Sequence, residues 1–397
     1  MTVSSSAAKS VPVPMLDLKR QYATIRELVR AAIDQVCESQ SLVLGEEVAA
    51  FEREMSAYLG AASTVGCSSG TDALWLALAG VGVSAGDSFI TTPFTFFASA
   101  SSITRCGASP VFADIDPNTF NLSPHAVEQA IESRHPENLK GVMPVHLFGQ
   151  CVNADAFDAV AAAHNLVIVE DAAQAFGATW KGRHAGTLGR TAAFSFYPTK
   201  NLSAFGDAGA ATTTDTEVGE HMKRLRNHGA ARRYYHEEIG WNARMDSIQG
   251  AVLRIKLRHI SQWNQRRSEI AAVYDELLQQ AGLTGNRGIS THVDLSHPIA
   301  LPVTAPEAKH IFHQYVIRAH RRDGLRDFLH ERNIGCEIYY PVPLHLQQCF
   351  AYLGYRAGDF PESERACLEV LALPIFPELT EAEQRQVVAA IAEFYSK

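Results

Sequence analysis

The 397-residue chain predicts an α/β fold: a mostly parallel central sheet in a large domain, with a smaller α+β domain at the carboxyl end. Three observations carry that prediction. The runs SFITT, SPVFADI, GVMPVHLFG, LVIVED and AAFSFY alternate with helical stretches such as ADAFDAVAAAHN, and such alternation builds a parallel sheet with helices on both faces. The length exceeds what one core usually supports. Finally, an amphipathic segment from Met245 to about Gln280 runs without proline and with Gly250 as its one interior glycine, so it reads as a connector between two domains.

Taken in order, residues 1–13 are rich in Ser, Ala, Val and Pro and read as a loose tail. Residues 14–260 form the large domain and 261–397 the small one. A first helix is predicted over about 21–38. Leu166 to Val169 is an apolar run typical of a strand buried on both faces, with Asp171 at its carboxyl end. Ala192 to Tyr197 gives a second strand that Pro198 closes, leaving Lys200 in the following loop. In the small domain HQYVIRA and CEIYYP read as strands around the helix GLRDFLHERN, and the last helix opens on Thr380 and Glu383, spaced as a capping box.

Composition excludes several function classes. A net charge of −8 disfavours nucleic acid as a partner, which requires a basic face. The seven cysteines form no CxxC pair and suggest neither a disulfide framework nor a zinc cluster; reduced thiols and a cytoplasmic location are expected. No run approaches the roughly 18 apolar residues of a membrane span, and residues 1–14 lack the apolar stretch of a signal peptide. GxGxxG after a strand, GxxxxGK[ST] and a complete HExxH are all missing. His310 and His313 lie on a predicted strand, where a spacing of three points them to opposite faces. No metal site is expected.

What remains is a lysine and an aspartate. Lys200 follows one strand and Asp171, 29 residues earlier, ends another. In open α/β sheets ligands bind outside the carboxyl ends of strands, so both face one crevice. Pyridoxal phosphate (PLP) requires this pair: its aldehyde needs an amine, and its ring nitrogen needs a carboxylate to stay protonated. A lysine taken singly is most often a solvated surface charge, so its neighbours matter. Gln174 offers an amide for the ring's phenolic oxygen, and Ser195 a hydroxyl for the phosphate. In CSSGTDALWLALAGVGV, Ser68 to Asp72 precede a helical segment whose free N–H groups favour an anion. There Gly70 permits close approach and Thr71 adds a hydroxyl. In ITTPFTFFASA either Phe94 or Phe96 can lie on the ring.

The ordered motifs SSGTDAL, PFTFFASA, VHLFGQ, EDAAQAFGA, FSFYPTKN and GWNARMDSIQGAVL resemble the DegT/StrS-type nucleotide-sugar aminotransferases, a branch of the PLP fold-type I enzymes with an aspartate aminotransferase-like fold. The likeness runs from about Leu16 to the final helix. It implies that Lys200 is the Schiff-base lysine, Asp171 the pyridinium partner and Gln174 the contact to the phenolic oxygen. Gly70, Thr71 and Ser195 become phosphate ligands, and Phe96 rather than Phe94 the stacking ring. The resemblance also implies a homodimer with shared active sites, in which Asn242 and Arg244 reach the partner subunit's cofactor phosphate or substrate.

By the same resemblance, an amino donor, L-glutamate by family precedent, loads the cofactor, which then aminates a nucleotide-linked keto sugar for amino-sugar biosynthesis. Tyr197, three before the lysine, and Asp246 in NARMD are similar to enzymes that act at C3; those acting at C4 more often have His at the first position and Ser or Thr at the second. Tyr339 and Tyr340 stand where relatives carry a substrate-contacting His-Tyr pair, and the tyrosine at the first position departs from it. A C4 sugar or a cyclitol ketone is the alternative acceptor. A non-catalytic regulatory protein retaining the fold is the alternative of another class. Sugar dehydratases of this kind replace the lysine by histidine, which Lys200 argues against.

Overall fold

A computed structural model of the chain describes residues 11–285 and 296–397. Seven strands make the central sheet: β1 (Ser63–Cys67), β2 (Ser88–Thr91), β3 (Ser109–Phe112), β4 (Leu139–Val142), β5 (Val167–Asp171), β6 (Thr191–Ser195) and β7 (Gly209–Thr213). Their order is β1-β7-β6-β5-β4-β2-β3. Only β7 runs against the others, pairing antiparallel with β1 and β6, while β6, β5, β4, β2 and β3 pair in parallel. The mostly parallel sheet is therefore as expected.

Local chemistry starts and stops the elements around the sheet. Ser69 caps the helix Gly70–Gly80 by accepting from Asp72 N, and Asn153 caps Ala154–His164 by accepting from Ala156 N while Asn165 ends it in the left-handed region; such caps satisfy donors and acceptors that a helix end leaves bare. The predicted capping box at Thr380 and Glu383 is present in both directions at the last helix, Glu381–Tyr395. The small domain carries a second sheet of Ile299–Ala300, Tyr315–Ala319 and Val370–Leu373.

Three expectations need correction. The tail, of which residues 1–10 lie outside the described residues, is not loose at its end: Val13 is buried, donates to Asn333 O at 3.0 Å and accepts from Gly335 N at 2.8 Å. The amphipathic connector consists of two helices, Ser247–Leu257 and Ile260–Gln280, because Arg258 N and His259 N bond three residues back to Ile255 O and Lys256 O, a tightened last turn that needs neither proline nor glycine. CEIYYP is not a strand; Glu337 alone pairs, with Ala372, and the chain then turns towards the large domain. His310 and His313 precede the strand Tyr315–Ala319 rather than lying on it, and both are buried.

The apolar core is continuous across the two parts of the chain. Phe94, Phe120 and Phe148 from the sheet side share one cluster with Ile317, Leu371, Phe376 and Ile391. Strands β1 and β7 were not foreseen. Small residues build β7, GAATT, and they let the helix Gly70–Gly80 lie close on the sheet.

Candidate active site

The carboxyl ends of β1 and β6 meet through a glycine. Gly209 is paired with both Cys67 and Ser195, and a Cβ there would come within 2.3 Å of Ser69 O. Its absence lets the Ser68–Gly70 turn cross the strand end. Gly70 in turn sits so close to Ser195 that a Cβ would lie 2.5 Å from the Ser195 Cβ. The turn, the first turn of the helix Gly70–Gly80 and the end of β6 thus form one cradle. Its Gly70 and Thr71 occupy the first two helical positions, where backbone N–H groups face outward to an anion, with the Ser195 hydroxyl beside them.

At the end of β5 the Asp171 carboxylate is 4% exposed. It accepts from Ser99 Oγ at 2.7 Å and from Ala173 N at 3.1 Å, which orients it and leaves it capacity for a further donor. Lys200 stands on a turn closed by its own N–H to Tyr197 O at 2.8 Å. Beyond it Asn201 donates to Phe176 O and Asn264 Oδ1 at 2.8 and 3.0 Å, so the lysine backbone is anchored on both sides. Burial pulls the Lys200 ammonium down to about 8, with the Asp171 carboxylate opposing that fall. Desolvation penalises the charged amine more than the carboxylate restores it.

The orientation of Gln174 is fixed by its partners. Its Oε1 accepts from Phe148 N at 2.7 Å and its Nε2 donates to Tyr340 Oη at 3.1 Å, leaving the second amide hydrogen for another acceptor. Burial, with the Asp171 carboxylate adding to it, raises the Tyr340 hydroxyl above its ordinary range. Burial distinguishes the two phenylalanines: Phe94 is 0% exposed and packs edge-on to Phe148 and Tyr340, whereas Phe96 is 58% exposed. The Phe96 ring centre lies 6.3 Å from that of Tyr340.

Of the remaining predicted residues, Tyr197 and Tyr339 adjoin this centre and Asn242 and Arg244 meet Asn227. Tyr197 is more than half exposed, and the Tyr339 ring lies 5.9 Å from that of Tyr340. Asn242 is exposed and pairs through its backbone with Asn227; Arg244 Nη1 donates to Asn227 Oδ1 at 3.3 Å, and its buried Nε has no acceptor among the described residues. Sequence reasoning missed Ser99, which orients Asp171; a serine inside a helix carries no sign of what faces it. It also missed the buried pair His146 Nε2 and Glu170 Oε2, 2.8 Å apart. Glu170 accepts three more bonds from Gly186, Leu188 and Gly189 N–H groups, bracing the strand that ends in Asp171. Among the described residues no group of three or more His, Cys, Asp or Glu is arranged to hold a metal, and no helix is long and apolar enough to cross a membrane.

The family model of the DegT/DnrJ/EryC1/StrS aminotransferases matches residues 23–392. The chain belongs to this family. A Geobacillus stearothermophilus protein named pleiotropic regulatory protein is 45% identical to it, over 96% of this chain and 98% of its own. The dTDP-3-amino-3,4,6-trideoxy-alpha-D-glucose transaminase of Streptomyces venezuelae is 42% identical over 98% of each chain. The crystal structure of S. venezuelae DesV in complex with a ketimine intermediate superposes with a TM-score of 0.89 at 42% identity, over 97% of this chain and 99% of that one. DegT/DnrJ/EryC1/StrS aminotransferases depend on PLP, and the residues here fit that cofactor: a cradle with no room for a Cβ at Gly70, a free amide hydrogen on Gln174, an open Phe96 ring, and a lysine of lowered affinity for protons beside a carboxylate. This chain is a PLP-dependent aminotransferase.

Proposed function

We propose that this aminotransferase carries an amino group from L-glutamate to C3 of a nucleotide-linked keto sugar, in a homodimer whose two sites are shared. The observation that carries the chemistry is Lys200, buried enough for its amine to titrate near 8 while facing Asp171. A group that gives up and takes back a proton near neutrality suits a base that acts twice per cycle. Bound PLP supplies an electrophilic carbon and a ring that draws electrons from a developing carbanion. Asp171, held by Ser99, keeps the ring nitrogen protonated; Gln174 donates its spare hydrogen to the phenolic oxygen; Gly70, Thr71 and Ser195 hold the phosphate. Lys200 moves the proton at the reacting carbon, and Phe96 covers one face of the ring.

For the acceptor, support comes from the S. venezuelae relative, named for a 3-amino sugar, and from Tyr197 and Asp246. Tyr339 and Tyr340 line the sugar side, and Asn242, which is exposed, and Arg244, whose Nε has no acceptor among the described residues, suit a neighbour's site. A regulatory reading draws on the name of the G. stearothermophilus relative. The complete lysine, aspartate and glutamine set argues for turnover instead. The test is incubation with ¹⁵N-labelled L-glutamate and nucleotide-linked 3-keto and 4-keto hexoses. NMR of the product is expected to place the label at C3; label at C4 overturns the regiochemistry, and no label in any sugar overturns the acceptor class.

A further inference from the structure

The helix that is to receive the cofactor phosphate carries a carboxylate in its own first turn. Asp72 is the third residue of Gly70–Gly80, and it accepts from the hydroxyls of Ser68 and Ser69, the latter at 3.2 Å. Left alone, that negative charge opposes a phosphate dianion bound at the same helix end, since both draw on one set of N–H groups and one positive dipole terminus. It is not left alone. Arg105, the last residue of the helix Ala98–Arg105, places Nη1 2.5 Å from Asp72 Oδ1. Its guanidinium is flanked by two aromatic rings, 5.1 Å from Trp75 and 5.0 Å from Trp241, which themselves meet edge to face at 5.5 Å. An arginine between two indoles and against a carboxylate has little freedom to leave.

We propose that Arg105 is a positioning residue for cofactor binding: it neutralises Asp72 so that the turn of Gly70 and Thr71 presents net positive potential to phosphate. The inference rests on the reading of that turn as the phosphate site. Asp72 keeps its own work, since it orders the hydroxyls of Ser68 and Ser69, and Arg105 removes the electrostatic cost of having it there. Trp241 adjoins Asn242 in sequence, so the same indole ties the segment offered to the partner subunit to the phosphate helix.

The experiment compares the affinities of pyridoxal phosphate and of pyridoxal, which lacks the phosphate, by absorbance titration of enzyme freed of cofactor. The wild type is expected to prefer the phosphate ester strongly. Arg105→Gln is expected to weaken the ester about tenfold, the scale of one solvent-screened charge a few ångströms away, and to leave pyridoxal unchanged. Arg105→Lys is expected to lose less, and Asp72→Asn to tighten the ester; in the double variant Asp72→Asn/Arg105→Gln most of the loss is recovered. A wild type without preference for the ester overturns the phosphate-site reading. A preference that survives Arg105→Gln, or a weakening on Asp72→Asn, overturns the role of Arg105 alone, and an equal loss for pyridoxal makes Arg105 a packing residue only.

Discussion

Asp171 shows how much one residue's surroundings decide. A carboxylate inside the protein must be paired or hydrogen-bonded, and here Ser99 and the Ala173 N–H supply two bonds while Lys200 supplies the facing charge. Replacing Asp171 by Asn keeps the shape and removes the charge. Turnover is then expected to fall about a hundredfold or more, with the melting temperature of the cofactor-free protein little changed. The Lys200 amine, whose proton the carboxylate helps to hold, is expected to titrate below 8 in that variant; pH-dependent labelling of Lys200, followed by peptide mass mapping, measures it. Lys200 and Asp171 were legible because the chemistry demands an amine and an acid at neighbouring strand ends. Phe94 and Phe96 were not separable from the residues, since both are apolar and two apart, and only burial against Phe148 and Tyr340 separates them.

At the scale of elements, the cradle depends on two missing side chains. Gly209 lets the Ser69 carbonyl pass, and Gly70 lets the helix start touch Ser195. Gly70→Ala would force these apart, because a Cβ contact of 2.5 Å lies inside van der Waals distance with a strand residue that has nowhere to move. Cofactor affinity is expected to drop about tenfold or more by the same titration, since close packing turns sub-ångström demands into shifted donors. Glycines at helix starts are visible in a sequence; their reason here was not, because the partner strands β6 and β7 are far along the chain. The break at Arg258 and His259 was equally hidden. Its turn changes from four-residue to three-residue bonding without any residue that forbids helix.

The whole molecule joins residues that the domain division keeps apart. Phe94 and Phe148, beside the site, belong to the same apolar cluster as Ile317 and Phe376, and Tyr340 crosses from the small domain to hold Gln174. The proposed sharing of sites by two subunits makes a prediction at this scale. Lys200→Ala and Arg244→Ala variants are each expected to be impaired, yet subunit exchange between them should restore activity. In an equal mixture about half of the dimers are hybrids, and every hybrid carries one intact site of its two, so about a quarter of wild-type activity is expected. If the mixture stays as inactive as its components, each chain completes its own site.

From its sequence alone this protein declared an alternating α/β order, an amine and a carboxylate at adjacent strand ends, and a glycine-containing helix start of the kind that suits an anion, because each depends on residue type at short spacing. Tertiary structure decided the rest: which phenylalanine stays open, which serine steadies Asp171, how Tyr340 reaches Gln174, and which arginine answers Asp72. Those are contacts between residues 33 to 246 positions apart, and only packing in three dimensions sets the burial and distance that give them their strength.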